Sequence, residues 1–265
     1  MLHHKVIGHG KPILILHGVT LDHRYMVDVM EPAFDGCDGW MRVYVDMPGH
    51  GQSPARDSIQ SQDDLLGAVV DFTDQYFGDT PFGLVGLSRG SYIARGILHL
   101  HPERVTGAAL IVPGGNPSAD PGRLPAHQVL GPDPALRADL AETELWGFDN
   151  MSVIQSRAII DKRRRIIAPA NALFDTTQEA RVFDAFDFSF HQSEEHSVFD
   201  KPSLIIAGLQ DSFSGYRDAI DLLARFPRAS LAVLDMAGHG LAWERPDLFK
   251  SLVVDWLLRL GAETG

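Results

Sequence analysis

The chain has 265 residues, 45% of them apolar and 22% charged, a balance that suits one soluble α/β domain carrying a sizeable insertion. Its formal net charge of -12 argues against non-specific binding to nucleic acid or to an anionic membrane. A lone cysteine, Cys37, excludes an internal disulfide and a cysteine-based metal site.

No apolar signal region follows Met1-Leu2-His3-His4-Lys5, so the expected compartment is the cytoplasm. Leu2 to Ile7 reads as a first strand, and Gly8-His9-Gly10 as a turn. The run Ile13-Leu14-Ile15-Leu16 is short, apolar and rich in β-branched residues, which fits a strand buried on both faces. His17-Gly18-Val19 ends it. A helix is expected within Asp22 to Phe34, then a strand over Trp40 to Asp46. The breaker-rich loop Met47-Pro48-Gly49-His50-Gly51 follows. Asp46 is expected to accept backbone N–H bonds from that loop, and His50 to be structural. Apolar positions at Leu65, Leu66, Val69, Val70, Phe72 and Phe77 predict an amphipathic helix over Asp63 to Phe77.

The chain is organised around Phe82 to Ser91. An apolar run ends in Gly86-Leu87-Ser88-Arg89-Gly90, and a helix-compatible segment starts at once. Such a strand must turn sharply into its helix, with Ser88 strained at the tip and glycines on either side where a side chain would collide with a neighbour. The backbone N–H of Arg89 opens the helix and can face an anionic oxygen. The helix should run to about His101, where Pro102 stops it, and Val105 to Val112 reads as the next buried strand.

From residue 114 to about 196 the strand–helix alternation is lost. Prolines 117, 121, 125, 132 and 134 open the segment, and a helical pattern runs from about Pro134 to His196. The four consecutive basic residues Lys162-Arg163-Arg164-Arg165 read as a solvated helix face; attraction of an anionic substrate is the other use of such a run. Lys201 to Gly208 returns to the sheet pattern and leads to Asp211. A helix around Arg217 to Phe226, a last strand over Ala229 to Leu234, the loop Met236-Ala237-Gly238-His239-Gly240 and a closing helix over Arg245 to Leu260 complete the chain. No repeat or low-complexity tract interrupts it, and no feature signals an oligomeric state.

His17-Gly18, Asp46-Met47-Pro48-Gly49-His50-Gly51, Gly86-Leu87-Ser88-Arg89-Gly90, Gly208-Leu209-Gln210-Asp211 and Gly238-His239 together resemble the α/β-hydrolase superfamily over essentially the whole length. The resemblance implies a mostly parallel central sheet with helices on both faces. It places a first core part at residues 1–113, a helical cap at 114–196 after the strand that follows the nucleophile helix, and the rest of the core at 197–265. It makes Ser88 the nucleophile, Asp211 the acid and His239 the base, in the chain order the superfamily uses. Val19 takes the position of the second oxyanion donor beside Arg89. Arg89 itself stands where many relatives have Met or Gln, so a large cation is expected near the mouth.

Cap aromatics, with Trp146 and Phe148 as candidates, are expected to line an apolar substrate pocket. Asp235 and Glu244 compete with Asp211 for the acid's role but are less well placed. The activity implied is hydrolysis of a small or medium carboxylic ester or lactone, a small-molecule substrate, with no metal or organic cofactor. C–C bond hydrolysis of a β-dicarbonyl compound, cofactor-free perhydrolysis of the haloperoxidase type, and a slow-turnover ligand receptor on the same scaffold use the same residues and stay open.

Overall fold

The computed structural model describes residues 1–114, 121–194 and 196–263. Gly115, Pro117 and Asp120, at the opening of the predicted insertion, lie outside them.

The strands are β1 (His4–Ile7), β2 (Lys11–Leu16), β3 (Trp40–Val45), β4 (Phe82–Leu87), β5 (Val105–Ile111), β6 (Ser203–Gly208) and β7 (Ala229–Leu234). They form one seven-stranded sheet in the order β1-β3-β2-β4-β5-β6-β7. β1 runs antiparallel to β3 at one edge, and all other pairings are parallel. This is the mostly parallel α/β architecture that the resemblance implies.

The alternation of side chains along buried strands explains why both faces need cover. Leu14, Leu16, Leu84, Leu110 and Ile205 pack on one face against α2 (Gln62–Phe77) and α3 (Arg89–Leu100). Ile13, Ile15, Val85, Ile111 and Ile206 pack on the other against α1 (His23–Phe34) and, at the end of the chain, a helix over Pro246–Glu263. Local sequence sets the helix ends. Asp22 caps α1 by accepting the Arg24 N–H, and Ser61 caps α2 by accepting the Asp64 N–H.

Between β5 and β6 the described residues form short helices: α4 (Pro134–Ala138), α5 (Glu142–Asn150), α6 (Arg157–Lys162), α7 (Ala168–Asn171), α8 (Thr176–Asp184) and α9 (His191–Glu194). A π-helical turn, Arg163–Ile167, joins α6 to α7. After β6 come α10 (Arg217–Asp221), α11 (Leu241–Glu244) and α12 (Pro246–Glu263). The helix expected around Arg217 to Phe226 is shorter as α-helix, and a 3₁₀ turn over Leu222–Ala224 extends it. No helix among the described residues is long and apolar enough to cross a membrane.

Candidate active site

Ser88 sits between β4 and α3 with φ 52° and ψ -117°, a left-handed conformation that a non-glycine residue adopts only under constraint. Two bare positions allow it. A Cβ on Gly86 would lie 2.3 Å from the carbonyl oxygen of Gly90, and one on Gly90 would lie 2.4 Å from that of Leu16. Hydrogen bonds pin the turn. The Ser88 N–H donates to Ile111 O at 2.9 Å, and the Ser91 hydroxyl reaches Gly86 O at 2.6 Å and Ile111 O at 3.0 Å. The role of Ser91 is not carried by the five-residue motif, which ends one residue before it.

His239 reaches Ser88 from the loop after β7. Its Nε2 lies 3.1 Å from Ser88 Oγ, and its Nδ1 lies 2.9 Å from Asp211 Oδ2. An ionised carboxylate only accepts, so Nδ1 carries the proton and Nε2 is left to accept from the serine. Asp211, fully buried just after β6, is itself oriented: its Oδ1 accepts the N–H groups of Phe213 at 2.9 Å and Ser214 at 3.0 Å. Burial lowers the pKa of His239, but the charge of Asp211 and its hydrogen bond outweigh this and hold the imidazole above its ordinary value.

The two competing carboxylates have other partners. Asp235 accepts from Gln210 Nε2 at 2.9 Å, while Gln210 Oε1 accepts the Ala237 N–H at 3.1 Å. Glu244 accepts the N–H groups of Val153 at 2.6 Å, Ile154 at 3.2 Å and Gly238 at 2.7 Å. It therefore ties the histidine loop to the helical insertion, a use that its sequence position beside the closing helix did not suggest. Burial raises its pKa and these N–H bonds partly offset the rise.

The loop after β2 lies against the elbow. A Cβ on Gly18 would be 3.2 Å from Ser88 Cβ. The buried His17 ring fixes this loop, with Nε2 accepting the Met47 N–H at 3.0 Å and Nδ1 donating to Gly18 O at 2.7 Å. Among the described residues, neither the Val19 nor the Arg89 backbone N–H has a hydrogen-bond acceptor. The Arg89 side chain is not a free cation at the mouth. It is buried, donates to Glu179 Oε1 of α8 at 2.6 Å and to Gln62 Oε1 at 3.1 Å, and so ties the elbow helix to the insertion.

A cavity of about 590 Å³ opens over Ser88 and His239 between the sheet edge and the insertion, with Leu21, Trp146, Phe213 and Trp243 in its wall. Trp146 stands at the mouth, 60% exposed, with its ring 6.2 Å from that of Phe213. Phe148, expected beside it, is instead fully buried with Leu136 and Ile160 and does not line the cavity. Two residues apart on a helix means about 200° of rotation, so the pair cannot share a face. Of the other insertion aromatics, Phe183 and Phe186 line the cavity, whereas Phe188 stacks on Tyr92 and Phe190 on His99.

The basic run also divides. Lys162 pairs with Asp28 at 2.8 Å and Arg164 with Glu144 at 2.6 Å, Arg165 is exposed, and Arg163 turns into the cavity wall. Four consecutive helical residues span about 300°, so a single solvated face cannot hold them all.

His3, His23 and Asp46 bring three possible metal-ligating atoms within 4.8 Å of one another. Asp46 instead receives the His3 and His23 rings at 2.8 and 2.9 Å, with the Gln52 N–H at 3.0 Å, and none of the three residues lines the cavity. The Gln52 contact is the glycine-loop bond expected of Asp46. His50 is buried against His17 and Phe174 and donates to Pro48 O at 3.0 Å; burial pushes its pKa down to about 3.

Residues 11–246 match the family model for the alpha/beta hydrolase fold. The chain is 25% identical over 269 residues to the monoacylglycerol lipase ABHD6 of Rattus norvegicus, covering 94% of this chain and 76% of the lipase. It is 26% identical over 234 residues to a 2-hydroxy-6-oxononadienedioate/2-hydroxy-6-oxononatrienedioate hydrolase of Burkholderia vietnamiensis, covering 83% and 77%. Among solved structures, an alpha/beta superfamily hydrolase from Oenococcus oeni PSU-1 superposes with a TM-score of 0.85 at 22% identity, covering 97% of this chain and 96% of that one.

Proposed function

This chain belongs to the α/β-hydrolase fold family and is a hydrolase, and on that premise we propose that it cleaves a small or medium carboxylic ester or lactone through an acyl-enzyme on Ser88. The observation that carries this reading is the continuous relay Ser88 Oγ–His239 Nε2, 3.1 Å, and His239 Nδ1–Asp211 Oδ2, 2.9 Å, at the floor of a cavity. A serine hydroxyl is a poor nucleophile until a base takes its proton. His239 Nε2 takes it as Oγ attacks the carbonyl carbon, and Asp211 steadies the resulting imidazolium. The carbonyl π-electrons move to oxygen, which the N–H groups of Val19 and Arg89 receive, a contribution of roughly 100- to 1,000-fold per donor. Collapse expels the alkoxide, which takes the proton from His239. Water then enters by the same route in reverse roles and frees the acid. Residues 114–196 act as the cap that selects the acyl group, with 1–113 and 197–265 as the core that performs the chemistry.

A second reading, C–C bond hydrolysis, is favoured by the similarity to the Burkholderia dienedioate hydrolase. The relay would serve it equally well. The experiment is covalent labelling with a fluorophosphonate, followed by turnover of an ester series of increasing acyl length and of a vinylogous β-diketone. Labelling at Ser88 with ester turnover supports the ester reading, turnover of the diketone alone supports the second, and labelling elsewhere overturns both.

A further inference from the structure

We propose that Arg163 and the Tyr25 hydroxyl form an anion subsite in the cavity wall, and that the substrate carries a carboxylate remote from the bond that is cleaved. The inference deepens the hydrolase reading and rests on it for the identity of the reacting bond.

It starts from the partners of the charges that line the cavity. Arg89 is held by Glu179, Arg164 by Glu144, and His239 by Asp211. Glu244 spends its oxygens on three backbone N–H groups. Arg163 has no acid. Its one contact among the described residues is from Nη2 to the Met151 sulfur at 3.9 Å, a weak acceptor. Burial accordingly pulls its pKa below the ordinary value, and the neighbouring Tyr25 and Glu244 only partly restore it.

A half-buried guanidinium in a wall shared with Ile159, Ile160 and Met151 gives up part of its hydration without an ion-pair partner in return, a cost that a bound carboxylate would remove. Tyr25 faces the same space; its side chain is buried, and its hydroxyl has no partner among the described residues.

The backbone is shaped around this side chain. A Cβ on Gly147 would lie 1.9 Å from Arg163 Nη2, so the guanidinium rests where α5 has no side chain. Arg163 opens the π-helical turn, a widened geometry that recurs at functional sites. A solvated arginine needs neither feature. The ligand class follows from the chemistry: a planar fork of donors with one hydroxyl beside it suits a carboxylate, and the apolar residues of the same cavity wall, Ile159 and Trp243 among them, suit a short hydrocarbon spacer.

The test compares two esters with one leaving group and one chain length, para-nitrophenyl hexanoate and the mono-para-nitrophenyl ester of adipic acid. In Arg163→Gln, the ratio of kcat/KM for the adipate over the hexanoate should fall by about tenfold or more. Gly147→Ala, which displaces the guanidinium without removing its charge, should lower the ratio too, and Arg163→Lys should restore part of it. Arg165→Gln removes the same charge from an exposed position and should change the ratio less than about twofold.

A ratio unmoved in Arg163→Gln, or moved equally in Arg165→Gln, overturns the subsite. Calorimetric binding of adipate to Ser88→Ala, with and without Arg163→Gln, separates this from the hydrolase reading. Loss of adipate binding without Arg163 supports the subsite even if neither ester is turned over. Turnover of both esters with adipate binding indifferent to Arg163 leaves the hydrolase reading standing and sinks the subsite.

Discussion

Ser88 and Arg163 face one cavity from two regions that hold their side chains by different means. Ser88 is placed by the main chain. Its left-handed φ, the bare Gly86 and Gly90, and the bonds from its N–H and from Ser91 leave it one position. The sheet beneath is buried on both faces, so this geometry rests on the most cooperative part of the fold. The insertion is built from helices of four to nine residues. Partly exposed ion pairs such as Arg137–Asp149 and Arg164–Glu144 link them. Such solvent-screened pairs contribute little stability and tolerate exchange. On the proposed reading, the contrast teaches that the attacking group and the wall that would read the substrate can vary independently, joined where Arg89 meets Glu179 and where Glu244 meets Val153 and Gly238.

The hardest test of that separation is Ser88→Ala. Turnover should fall by roughly 10,000-fold or more and fluorophosphonate labelling should vanish, while ligand binding in the insertion persists. Near wild-type turnover would remove Ser88 from the chemistry altogether. Next in size is Asp211→Asn, expected to cost roughly 1,000- to 10,000-fold in kcat with the fold retained, because an amide can hold the imidazole in the wrong tautomer. Turnover within tenfold of wild type would mean that another group orients His239.

The legibility of the sequence follows the same divide. Gly86 and Gly90 can be read because the constraint is local: the residues that collide are four positions apart or on the adjoining strand. Asp211 and His239 can be read because parallel strands deliver their following loops to one edge. In the insertion the determinants are contacts between its short helices and core helices far away in sequence, such as Glu179 with Arg89 and Lys162 with Asp28. Nothing in the spacing of Trp146 and Phe148 says which one faces the cavity until the neighbours of α5 are placed. Glu244 was hidden for another reason. Its partners are backbone N–H groups, which carry no residue identity.

Glu244→Gln probes the join itself. A carboxylate accepts on both oxygens, whereas the amide turns an NH₂ group towards either the Val153–Ile154 backbone or that of Gly238. One contact becomes donor against donor, and the histidine loop should shift by a fraction of an ångström. The expected loss is roughly ten- to a hundredfold in kcat, smaller than that of Asp211→Asn. If only KM changes, the join serves the insertion and not the relay.

The smallest expected effect is on pH dependence, and there activity and stability pull in opposite senses. His239 must be neutral at Nε2 to take the serine proton, so kcat/KM should rise with pH along one ionisation. Burial of the ring, 16% exposed, disfavours its cationic form, but the Asp211 charge and hydrogen bond favour it more, so the midpoint lies above the ordinary 6.5. Asp211→Asn removes the two largest favourable parts and leaves burial opposed only by the weaker Glu244 charge, so the midpoint of the residual activity should fall relative to wild type.

Stability takes the reverse sign. A pKa raised by folding stabilises the protein fully below the unfolded value and loses that contribution as pH climbs through the folded value. The relay is thus most stabilising where it is least active. Thermal melts of wild type and His239→Gln from about pH 6 to about pH 8.5 should show the wild-type advantage shrinking as pH rises. An advantage that grows over that range, together with an activity midpoint below 6.5, would mean that burial dominates and that Asp211 does not hold the ring as a charged partner.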